Sequence, residues 1–67
     1  MGILITDVEP KSKAERSGFL AGDIIIQIED VEIKNYSNIE TALKRYNNQH
    51  KRVYINRYGQ TLMFIIQ

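Results

Sequence analysis

Pro10 to Ile28 reads Pro-Lys-Ser-Lys-Ala-Glu-Arg-Ser-Gly-Phe-Leu-Ala-Gly-Asp-Ile-Ile-Ile-Gln-Ile, and no other stretch constrains the fold as tightly. It places a helix start, a helix stop, a turn and a strand in direct succession. Ser12-Lys-Ala-Glu15 fits a capping box, with the Ser12 hydroxyl accepting from the Glu15 N–H and the Glu15 carboxylate reaching back to the N–H of Ser12. Gly18 stands where the chain leaves the helix through positive φ. Phe19 and Leu20 are then expected to turn back toward the core. Gly22-Asp23 reads as a turn and Ile24 to Ile28 as an apolar strand. Its three consecutive isoleucines predict burial on both faces, as in a small closed sheet.

The 67 residues allow one domain over 1–67. A chain of this length buries only about 60% of its unfolded surface, and with no cysteine neither a disulfide nor a thiolate metal site supports it. Nine basic and eight acidic side chains leave a net charge of +1. Such balance makes no long-range field toward phosphate or anionic lipid, so no nucleic-acid partner is expected. No segment approaches the roughly 20 apolar residues of a membrane span, and direct membrane insertion is not expected. Met1 leads straight into strand-like sequence, without a signal peptide.

Gly2 to Val8 is rich in β-branched residues and reads as a strand, which Pro10 ends because it cannot donate to a ladder. Glu32-Ile33 reads as a very short further strand. Ser37-Asn-Ile-Glu40 fits a second capping box. Ile39, Ala42, Leu43 and Tyr46 follow at i, i+3, i+4 and i+7, one face of a helix that ends at Asn47-Asn48. Arg52 to Arg57 and Thr61 to Ile66 form a hairpin around Tyr58-Gly59-Gln60. The fold class is therefore α+β, a small partly closed sheet or barrel with two helices in the order β-α-β-(β)-α-β-β.

Candidate chemistry is sparse. His50 is the one histidine; it sits in a polar loop and makes a poor metal ligand without a second donor. Ser12 and Ser37 read as helix caps, since no histidine is patterned to activate them. Glu29, Asp30 and Glu32 cluster at a turn without marking an acid–base pair. Lys44, Arg45, Lys51 and Arg52 read as a solvated basic face. No catalytic residue, cofactor or metal is expected, and the chain does not read as an enzyme.

The order of these pieces resembles the PDZ domain family in its bacterial, protease-associated form. Ser12-x-Ala14 with Gly18-Phe19 is similar to that family's Ser-x-Ala and Gly-Leu. Gly22-Asp23-Ile24-Ile25 is similar to its Gly-Asp-x-Ile, Ile39 with Ala42-Leu43 to its second helix, and Arg57-Tyr58-Gly59 to its Arg-x-Gly hairpin. Gly2-Ile-Leu-Ile-Thr-Asp-Val8 is similar to the strand before its first helix. Two departures stand out. Glu29-Asp30 replaces the family's Asn-Gly; Glu tolerates the left-handed region poorly, which predicts a looser turn. The loop of Gly-Leu-Gly-Phe type that holds a ligand carboxylate precedes the part matched by Gly2 and has no counterpart in the chain.

The resemblance implies a non-catalytic module that binds an extended or C-terminal apolar segment of a peptide or protein by strand addition. It implies service to a protease or an envelope assembly, a periplasmic or envelope location, and excision of this domain from a larger protein. It also implies a groove along the second helix. Tyr36, Glu40 and Leu43 then face the ligand, with Ile3 and Ile5 on the neighbouring strand, while Ile39 and Ala42 face the core. Burial statistics alone favour core positions for Leu43 and Ile39, and a packing role at the helix start for Tyr36. The alternative is an assembly module. Without the carboxylate loop, Gly2–Val8 becomes an open aliphatic edge that pairs with a neighbouring domain or forms a homodimer.

Overall fold

A computed structural model describes residues 2–67. The elements in chain order are β1 (Ile3–Leu4), α1 (Lys13–Ser17), β2 (Ile24–Ile28), β3 (Val31–Glu32), α2 (Tyr36–Arg45), β4 (Lys51–Arg57) and β5 (Gln60–Ile66). This is the α+β order read from the sequence. The five strands form one antiparallel sheet in the order β1-β2-β4-β5, with β3 also on β2. β1 pairs with Ile24 and Ile25, and β3 with Gln27 and Ile28. They share one edge of β2 end to end, because β4 occupies the other.

The sheet is open rather than closed, and this changes the burial expected for β2. Ile24, Ile25 and Ile26 are all half-buried, and only Ile28 of that strand is buried. A register shift between Ile25 and Gln27 against β4 leaves Ile26 as an extra residue. Its carbonyl accepts from the N–H of Ile33. The bulge brings both Ile25 and Ile28 to the core face, opposite Ile55 and Val53. Phe19, Ile28, Ile33, Ala42, Val53 and Ile55 make the core.

The first capping box is half realised. Ser12 Oγ accepts from the Glu15 N–H at 3.2 Å, but the Glu15 carboxylate takes the N–H of Lys11. The N–H of Ser12 is already bonded to the carbonyl of Glu9. Gly18 ends α1 at φ +108°. A Cβ there would also stand 3.0 Å from the Phe64 ring, so both backbone conformation and close packing call for glycine. Phe19 enters the core as expected. Leu20 does not: it is 54% exposed, while its N–H donates to Asp23 Oδ2 at 2.9 Å.

Asp23 is the centre of a polar cluster at the exit of α1. It is 1% exposed and receives Arg57 Nε at 2.8 Å and Nη2 at 2.9 Å. Nη2 of Arg57 also donates to the Gly18 carbonyl at 2.8 Å. The guanidinium stands 5.6 Å from the Phe64 ring centre, and Phe64 meets Phe19 edge-on at 5.1 Å. A bidentate arginine is a fitting partner here because its fixed fork matches a carboxylate. It holds the Asp23 carboxyl below its usual pKa despite burial.

Other corrections are local. Gly2–Val8 is not one strand: the ladder covers Ile3 and Leu4 alone. Ile5 instead donates to the Asp23 carbonyl and accepts from the Gly22 N–H, so the Gly-Asp turn takes over its main chain. The short third strand lies at Val31–Glu32, one residue earlier than read, and Ile33 behind it is fully buried. The β4–β5 connection is a two-residue turn, Tyr58-Gly59, closed by Arg57 opposite Gln60. Both turn residues have positive φ, +51° and +85°, as right-handed strand twist favours.

Asp23→Ala removes the two carboxylate acceptors of Arg57 and the acceptor for Leu20 N–H, and is expected to cost about 3 kcal/mol, most of the stability of a domain this small. Urea denaturation checks it; a loss under about 1 kcal/mol would show the cluster to be peripheral. Tyr58 is 97% exposed, so its left-handed backbone has no packing reward. Tyr58→Asn creates an Asn-Gly turn and is expected to gain up to about 1 kcal/mol in the same measurement.

Candidate functional site

The second helix begins two residues earlier than its sequence suggests. Asn35, not Ser37, is the cap: its Oδ1 accepts from the Asn38 N–H at 3.2 Å. Asn38 Oδ1 in turn accepts from the N–H groups of Asn35 and Lys34 at 3.1 and 2.8 Å. Ser37 lies inside the first turn and donates its hydroxyl to Asn35 Oδ1 at 2.6 Å. Asn ranks among the strongest N-cap residues, and the Asn35-x-x-Asn38 spacing was the available signal. The helix stops at Arg45, before Asn47-Asn48, and Tyr46 is its C-terminal cap.

Tyr36, Glu40 and Leu43 recur at i, i+4 and i+7, so they share one stripe of α2. All three are exposed, Tyr36 at 72% and Leu43 at 44%. Ala42 is buried and Ile39 is half-buried against the core. The apolar face read from the sequence thus divides, with Leu43 falling on the solvent side. Ile3 and Ile5 are half-buried and pack against the core. Because Ile5 directs its main chain toward β2 and alternate residues face alternate edges, Leu4 turns its N–H and carbonyl toward the open edge.

The turn Glu29-Asp30 holds the end of α2 against the sheet. Asp30 Oδ1 accepts the Tyr46 hydroxyl and stands 3.5 Å from Arg45 Nη1. The hydroxyl contact lowers the Asp30 pKa, with a smaller contribution from Arg45, and raises that of Tyr46 against the opposing effect of Arg45. Glu29 binds the other side. It receives Arg52 Nη2 at 2.7 Å, Nε at 3.2 Å and the Arg52 backbone N–H at 2.6 Å. Its own N–H donates to the Arg52 carbonyl at 2.9 Å. Glu29 takes φ +50°. The turn is therefore tight rather than loose, and the Arg52 clamp offsets the left-handed strain. These contacts also break up the expected solvated basic run. Arg45 and Arg52 are paired, and Lys51 is 3% exposed with its Nζ donating to the Gln49 carbonyl.

Two clefts flank the C-terminal end of β5. One of about 320 Å³ lies between α1 and β5, with Phe19, His50 and Ile65 on its walls. The other, about 460 Å³ and more polar, is bordered by Leu43, Asn47, Lys13 and Lys51. Leu43 borders the second cleft, and neither Tyr36 nor Glu40 lines either of the two. Among the described residues no three His, Asp or Glu side chains gather as metal ligands. A family model described as PDZ domain matches residues 4–57, from β1 to the end of β4. No curated protein matches the chain.

The Arg52 side chain and backbone hydrogen bonds hold Glu29 down to about pKa 2 from 4.5. A carboxylate with a lowered folded pKa stabilises the fold above its unfolded value, and that contribution disappears as pH falls toward the folded one. Stability is expected to decline as pH drops from 4.5 to about 2, and Glu29→Gln is expected to make that decline shallower. Urea denaturation across the acid range measures both; identical acid limbs would remove Glu29 from the account.

Proposed function

Because the chain belongs to the PDZ domain family, we propose that it binds an extended or C-terminal apolar segment as an added strand, using the exposed stripe of α2 for side-chain selection. PDZ domains are non-catalytic protein-interaction modules, and they bind peptides or protein C-termini. The finer reading rests on one observation. Tyr36, Glu40 and Leu43 remain exposed on a helix fixed at both ends, although two of them are large and apolar enough to be buried.

The main chain supplies affinity in strand addition and the flanking side chains supply selectivity. Leu4 offers the outward amide and carbonyl on the β1 edge, while Ile3 and Ile5 keep that edge seated on the core. On α2, Leu43 favours an apolar ligand side chain, and Glu40 favours a cationic or hydrogen-bonding one. Binding by one such domain is weak, because ordering a flexible peptide opposes the interface energy. The bacterial, protease-associated and periplasmic setting is also part of the proposal. It is supported by the likeness of Ser12-x-Ala14, Gly22-Asp23 and Arg57-Tyr58-Gly59 to that branch of the family.

A library of peptides with apolar C-termini, presented as free acids and as amides, tests the reading by fluorescence polarisation. The chain is expected to bind a subset. Leu43→Asp, which folds because its site is half open to solvent, is expected to weaken binding about tenfold or more by burying an unpaired charge. Unchanged affinity in this variant would refute the groove. Equal affinity for acid and amide would assign an internal extended segment as the ligand; a strong preference for the acid would assign a C-terminus.

A further inference from the structure

The longest open edge of the sheet is β5. It runs in unbroken register along β4, from Gln60 opposite Arg57 to Ile66 opposite Lys51, and among the described residues no strand pairs with its other side. Natural edge strands are blunted by charge, proline, bulges or short length. Gln60-Thr-Leu-Met-Phe-Ile-Ile66 has none of these. Met63 and Ile65 are 47% and 50% exposed on its outer face. The residues flanking a two-residue turn form a narrow hydrogen-bonded pair, and pairs then alternate. Gln60, Leu62, Phe64 and Ile66 therefore direct their main chains to β4, and Thr61, Met63 and Ile65 direct theirs outward.

We propose that β5 is a homodimer interface, in which the β5 strands of two copies pair antiparallel about a two-fold axis at Met63. The sequence is suited to a second copy of itself. With Met63 opposite Met63, Thr61 of each copy faces Ile65 of the other, and every outward main-chain group in these three narrow pairs finds a partner. Moving the axis by one residue, to Leu62 or Phe64, would put a wide pair at the centre and leave only two narrow pairs within β5 instead of three. No charge on one β5 opposes a like charge on the other. On the outer face Met63 is the cross-strand neighbour of Tyr54, and Ile65 of Arg52. Glu29 already neutralises Arg52, so that cation does not set one copy against the other. Tyr54, Met63 and Ile65 of both copies then form one continuous apolar strip. The pairing residues Thr61, Met63 and Ile65 include none of the α2 stripe.

Sedimentation velocity across micromolar to millimolar concentration tests the proposal, with amide hydrogen exchange on the same samples. A concentration-dependent dimer of the 7.8 kDa chain is expected. Met63→Lys sets two cations face to face on the axis and is expected to raise the dimer dissociation constant about tenfold or more. Leu4→Lys, on the β1 edge, is expected to leave it unchanged. The Thr61, Met63 and Ile65 amides are expected to lose protection on dilution, while those of Leu62 and Phe64 keep it. A wild-type monomer at every concentration would overturn the proposal. So would a dimer abolished by Leu4→Lys but not by Met63→Lys, or protection of the three amides only when an apolar peptide is added to the monomer.

Discussion

The bidentate contact between Arg57 and Asp23 is the interaction on which the rest of the domain depends. Asp23 alone would be an untenable buried charge. With Arg57 in place, its carboxylate also accepts the Leu20 N–H, and the same guanidinium caps the Gly18 carbonyl. One ion pair thus joins the exit of α1, the turn into β2 and the last residue of β4. It also orients the aromatic pair: Phe64 lies between the guanidinium and Phe19. The residues joined are far apart in sequence, so this contact ties α1 to the hairpin with little help from a small core.

A second clamp works on the opposite side of the sheet. Glu29 adopts a backbone conformation that costs a bulky residue about 1–2 kcal/mol, yet it spans to Arg52 through both main chain and side chain. Its neighbour Asp30 reaches Tyr46 and Arg45 at the end of α2. Glycine in this turn would be free of strain but would tie nothing down. The acidic pair accepts local strain in exchange for fixing the helix that carries Tyr36, Glu40 and Leu43. Position of the stripe relative to the sheet is thereby decided at a turn that the stripe does not touch.

Much of this was legible in local sequence. Ser12, Gly18, the aliphatic run of β2 and the hairpin all encode their conformations within a few residues, and the structure keeps each of them. What could not be read depends on distant partners. Gly22-Asp23 and Arg57-Tyr58-Gly59 were visible as separate motifs, but nothing local says that they are two halves of one contact. Glu29 looked unfit for its turn because its compensating partner lies on β4. Leu20 was assigned to the core by hydropathy, whereas its backbone is what the structure uses. The α2 stripe followed from helical spacing, but the exposure of Leu43 beside the burial of Ala42 depends on which side of the helix meets the sheet. Ser37 is not the cap for a simpler reason: Asn35, two residues upstream and an equally good N-cap, is answered reciprocally by Asn38.

The openness of the sheet connects these points to recognition. Closing a sheet satisfies every edge, and an open one leaves main-chain groups unmatched at two places. The two edges of this domain differ in what can distinguish one partner from another. At β1 the ladder is two residues long, so main-chain bonding is limited, and discrimination must come from side chains on other elements. At β5 the ladder is seven residues long, and its own alternation fixes the register of a partner. A partner there must match uncharged residues on both faces in register, because a slip of one residue exchanges the faces. A strand that offers only apolar and uncharged side chains discriminates poorly among apolar peptides; in the proposed dimer its own copy presents outward groups at the same spacing and no charge to oppose it. On the two proposals the same backbone chemistry would serve two different uses, with the surrounding side chains distinguishing the edges.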